Sequence, residues 1–128
     1  MALYVSASST FKVASDSSLS DARANWSEAY THATTGSKAD TELGTTYTVA
    51  DSATQAVGFG PLTTVYSVFI KCDRQVVAKF NGDSNGVKIG DAAASGGFMV
   101  LAGCEFTSLS ITNNSGASAA VDIQLVGV

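Results

Sequence analysis

Ala119-Ala120-Val121-Asp122-Ile123-Gln124-Leu125-Val126 alternates in character along most of its length. Successive side chains of an extended chain point to opposite sides. Val121, Ile123 and Leu125 therefore share one face, and Ala120, Asp122 and Gln124 the other. A strand with one dry and one wet side belongs to an antiparallel sheet. Upstream, Leu109 and Ile111 alternate with Ser108, Ser110 and Thr112, and the polar, Gly-containing connector 113–118 predicts a hairpin joining these two strands. Further back, Tyr66, Val68, Ile70 and Cys72 alternate with Ser67 and Lys71. Val65 and Phe69 make the second face apolar too, which predicts a central strand covered on both sides. Val76, Ala78 and Phe80 repeat the pattern after Asp73-Arg74. Weaker alternation at 3–7, 10–14, 45–50, 54–59, 87–90 and 98–102 brings the total to about ten short strands.

One segment follows a different period. From Leu19, the residues Ala22, Trp26, Ala29, Tyr30 and Ala33 recur at spacings of three and four, which predicts an amphipathic helix over 19–33. Ser18 with Asp21 fits an N-terminal cap and Gly36 a C-terminal one. Trp26 and Tyr30, one turn apart, would cover an open end or face of the sheets. The polar, Gly-bounded stretch 34–44 is expected to be a mobile loop. Short strands with turns rich in Gly, Asn, Asp and Ser predict an all-β fold: an antiparallel β-sandwich or jelly roll with one short α-helix, forming a single domain over 1–128.

Composition narrows the function. Only 14% of the 128 residues are charged, while Ala, Ser, Thr and Gly together make up 61 of them. Small and hydroxylated side chains must therefore cover much of the surface. The net charge of −4 has the wrong sign for holding a phosphate backbone, so nucleic acid is not an expected partner. No apolar run approaches the roughly 18 residues that span a bilayer, so no membrane partner is expected. The opening residues lack a cationic region followed by an apolar stretch, which predicts synthesis in the cytoplasm without a signal peptide.

Candidate chemistry is sparse. His32 is the single histidine and reads as a residue near a helix end. No Gly-x-Ser-x-Gly elbow is present, and neither cysteine has a nucleophile signature, so no catalytic residue is assigned. Cys72 and Cys104 read as two buried, unreactive thiols, with a disulfide geometrically possible. They make no zinc set with one distant histidine. Asn81-Gly82-Asp83-Ser84-Asn85-Gly86 begins like a calcium loop, but its twelfth position falls on Ala92, so it reads as a hairpin turn. Gly58-Phe59-Gly60-Pro61 reads as a tight turn and 91–97 as a flexible loop. No cofactor or metal is expected. Val65 and Phe69, with Lys71, Arg74 and Lys79, are the candidate partner contacts, Lys88 extending the basic cluster. Trp26 and Tyr30, with Tyr47 and Tyr66, are candidate stacking platforms if the domain binds glycans.

The stretch Gly96-Gly97-Phe98-Met99-Val100-Leu101-Ala102-Gly103, with 106–116 and 121–125, resembles the closing strands of small tailed-phage virion proteins. That resemblance implies a β-sandwich or jelly-roll capsid decoration (cement) protein. It implies a homo-oligomer, expected to be a trimer, whose partners are itself and capsid or other virion proteins, located in the virion. A tail or fibre element, or a carbohydrate-binding adhesin, is the alternative.

Overall fold

A computed structural model describes the backbone of residues 3–14, 22–34 and 41–128, and the side chains of residues 41–128. Ten strands run through the described residues: β1 (Leu3–Ala14), β2 (Ala22–Thr34), β3 (Thr41–Val49), β4 (Ala53–Ala56), β5 (Val65–Cys72), β6 (Val76–Phe80), β7 (Val87–Ile89), β8 (Gly97–Phe106), β9 (Leu109–Asn113) and β10 (Ala119–Gly127). The last eight form two four-stranded antiparallel sheets, β3-β10-β5-β8 and β4-β9-β6-β7. The pairs are nested. Thr41–Val49 lies along Gly127–Ala119, Ala53–Ala56 along Asn113–Ser110, Val65–Cys72 along Phe106–Gly97 and Val76–Ala78 along Ile89–Val87. A single long ribbon with its tip at 81–86 is thus rolled over itself into two layers, which is the jelly roll.

The alternation in β10 does what its pattern predicts. Val121, Ile123 and Leu125 are at most 1% exposed, and Ala120, Asp122 and Gln124 face outward. Between the layers they meet Val68 and Ile70 of β5, Ile111 of β9, and Val76 and Ala78 of β6 in one hydrophobic cluster. Fully burying a Val, Leu or Ile side chain contributes about 1.5–3 kcal/mol each. Phe106 anchors one end, edge-on to Phe80 at 5.0 Å and to Phe59 at 5.9 Å. The outer faces carry hydroxyls where most domains carry charge. Thr54 and Thr112 share a 2.8 Å hydrogen bond across β4 and β9, and Thr46 donates one of 2.7 Å to Asp122.

Three expectations are corrected. Over 22–33 there is no helix: Ala22–Thr34 is a strand, paired antiparallel with β1 so that Trp26 stands opposite Phe11 and Tyr30 opposite Ala7, while 15–21 lie outside the described residues. Alanine fits either period, so its recurrence carried little information, and an extended partner strand overrides local spacing. The two layers use only residues from Thr41 onward, while β1 and β2 form a sheet of their own. Strands β9 and β10 are not a hairpin, because the connector 114–118 carries the chain from one sheet to the other. The segment 41–44, expected in a loop, is the start of β3, held by Gly127, Val126, Leu125 and Gln124 of β10; residues 35–40 lie outside the described residues.

Candidate interaction surface

Strands β5 and β8 form half of the first sheet, with β8 at its border. Their register sets Phe69 opposite Val100 and Lys71 opposite Phe98. The inward positions Val68, Ile70 and Cys72 fill the core, so alternation turns Phe69 and Lys71 out. On β8, Phe98 and Val100 face the same way. Phe98 is 70% exposed, Val100 44% and Phe69 36%. The Phe69 and Phe98 rings stack with centroids 6.3 Å apart. Strand β5 is central, as its sequence predicts, yet on its second face Phe69 and Lys71 lie open while Ser67 is buried. Beside it, Val87, Ile89, Phe98 and Met99 line an open groove of about 440 Å³ where β7 and β8 border the two layers. Among the described residues, the large exposed hydrophobic side chains all sit on β5, β7 and β8.

The other half of that face is polar. Glu42, Thr46 and Thr48 of β3 and Asp122 and Gln124 of β10 are exposed. Gly44 leaves room for the Gln124 side chain, whose amide atoms would lie 2.6 Å from any Cβ placed there. One face is therefore divided into a hydrophilic half and an apolar half.

The structure separates the residues grouped by sequence. Val65 is fully buried and cannot reach a partner. Against β10 the ladder slips by one residue, Ser67 pairing with Val126 but Val65 with Gly127, so β5 carries one extra residue there. This bulge turns Val65 into the core. Phe69 and Lys71 remain at the surface. Arg74 lies in the turn between β5 and β6, half-buried, and Lys79 lies on the opposite sheet, half-buried, as does Lys88, which is exposed. The four cations do not form one patch. The side chains of Trp26, Tyr30 and His32 lie outside the described residues. Tyr47 is half-buried, its hydroxyl accepting the Gly58 N–H at 3.0 Å, so it is a packing residue. Phe98, Val100 and Val87 were not singled out by sequence. The signal for the first two was present, because 98–102 is apolar on both alternating faces, as in β5.

The remaining motifs resolve into structure. Asp83 accepts the N–H groups of Asn85 and Gly86 at 3.1 and 3.2 Å, and these hold its carboxyl below the usual range. Asn81 accepts the Thr107 N–H at 2.8 Å. The side-chain oxygens of Asn81 and Asp83 thus hold the chain, and the loop 81–86 joins β6 to β7 as a hairpin. Gly58–Pro61 is a turn closed by the Leu62 N–H donating to the Phe59 carbonyl. Cys72 and Cys104 are both free. Burial pushes both thiols up, and Cys72 donates weakly to the Gly97 and Ile89 carbonyls. No family model, curated protein or solved structure matches this chain.

Proposed function

We propose that this chain is a structural protein of a tailed-phage virion that decorates the capsid and stabilises the shell. The observation that carries the reading is the open apolar surface of Phe69, Phe98 and Val100 on a rigid sheet. Contiguous exposed apolar surface on a small domain marks a contact site. The resemblance of residues 96–103, 106–116 and 121–125 to virion proteins supplies the particle. Burying such a surface yields about 25 cal/mol per Å², most of which association costs consume for a single copy. An array of copies on one particle pools these small gains, because each added contact is made at high effective concentration.

The test is a particle assay. Virions lacking this protein should lose infectivity at lower temperature or under osmotic shock, and adding the purified chain should restore resistance. Equal resistance with and without it would sink the cement role. Imaging that places the chain on the tail instead of the shell would assign it as a tail or fibre element.

A further inference from the structure

Two Asn-Gly pairs lie at the ribbon tip, Asn81-Gly82 and Asn85-Gly86. In such a pair the glycine amide nitrogen can attack the asparagine carboxamide carbon, because glycine has no side chain to obstruct the approach. The new N–Cγ bond closes a five-membered imide, the Cγ–Nδ2 bond breaks, and ammonia leaves with the proton that the amide gives up. Water then opens the ring to aspartate or, with the side chain taken into the backbone, to isoaspartate. The structure treats the two pairs differently. The Asn81 carboxamide oxygen is pinned, accepting the Thr107 N–H at 2.8 Å and the Thr107 hydroxyl at 3.3 Å. The exposed Asn85 carboxamide makes no hydrogen bond among the described residues. Its restraint is on the attacking side, where the Gly86 N–H donates to the Asp83 carboxylate at 3.2 Å.

We infer that Asn85 is a site of spontaneous deamidation in the folded chain and that Asp83 sets its rate. Turning the Asn81 carboxamide onto Gly82 breaks its bonds to Thr107, whereas turning that of Asn85 breaks none. Asp83 holds the proton that Gly86 must lose, so its bond slows the reaction without preventing it. Two further asparagines are better protected. Asn113 is buried with its carboxamide bonded at both ends, and Asn114 precedes Ser115, whose N–H is held by Asn113. The product places a second carboxylate beside Asp83. The inference goes beyond the virion role and does not depend on it.

Its test needs only the purified full-length chain, aged in mildly alkaline buffer. Cleavage after lysine releases one peptide, Phe80 to Lys88, that carries both pairs, and fragmentation in a mass spectrometer reads each asparagine separately. Acid should accumulate at Asn85 at least about fivefold faster than at Asn81, the weight of one ordinary hydrogen bond. In urea, with both restraints gone, the two should convert at similar rates. Asp83→Ala should speed Asn85 about fivefold and leave Asn81 unchanged. Asn85→Gln, whose longer side chain would have to close a six-membered ring, should remove the signal. Conversion at Asn81 as fast as at Asn85 in the folded chain would overturn the inference. So would an unreactive Asn85 in a chain that converts when unfolded, or an Asp83→Ala chain no faster than its parent. None of these readings involves a virion, so failure of the particle assay leaves them standing, and the reverse holds too.

Discussion

Asn113 is fully buried at the end of β9 and donates to the carbonyls of Val49 and Ala117, each at 2.8 Å, while accepting the Ser115 N–H at 3.0 Å. It ties the end of β3 to the connector between the sheets. Asn113→Ala would leave two carbonyls and one amide without this partner, and is expected to cost about 2–4 kcal/mol in urea unfolding. Gly96 matters for a different reason: a Cβ there would collide with the Cys72 carbonyl oxygen. The thiols give a pH signature. Burial raises the Cys72 thiol above its ordinary 9.0, so the folded chain holds the proton more tightly than the unfolded one. The contribution is fully present below about pH 9 and is lost as pH rises through the folded value. Stability should therefore fall on the alkaline side, and Cys72→Ala should flatten that fall, as read by denaturant midpoints across pH.

At the level of elements, β10 is the strand on which the rest is built, since it pairs with both β3 and β5. Its two faces should respond differently to truncation. Ile123→Ala is expected to cost about 2–5 kcal/mol, and Gln124→Ala, on the wet face, under about 0.5 kcal/mol. Calorimetric melting of the two variants would check this, and equal losses would contradict the assigned faces. β10 was legible because its polar and apolar residues differ strongly in character. β2 was not, because alanine satisfies a helical and an extended period equally, and Trp26, Tyr30 and Thr31 favour strands only when a partner such as β1 is present. Far-UV circular dichroism should show a spectrum dominated by β structure. Of the interaction surface, Phe69 and Lys71 were readable from β5. Phe98 and Val100 were overlooked because double-faced apolar alternation usually means burial on both sides, and sequence does not say which strand ends at a border.

Across the whole molecule, neighbouring strands come from distant parts of the chain, as where Thr41 pairs with Gly127. Loop-closure entropy must be overcome before such pairs form, so folding should take milliseconds to seconds, roughly the range of β-sandwiches. Stopped-flow refolding that finishes within microseconds would be inconsistent with the nested ribbon. The amino-acid order by itself determined that the chain would be all-β, where most strands lie and which side of β10 is dry, because a period of two is imposed locally by the geometry of extended backbone. Only the tertiary structure decided the nesting of the pairs, the burial of Val65 and the open apolar half-face. Those depend on which distant strands meet, on a slip in one ladder and on which strand borders its sheet, and none of these is written in a local period.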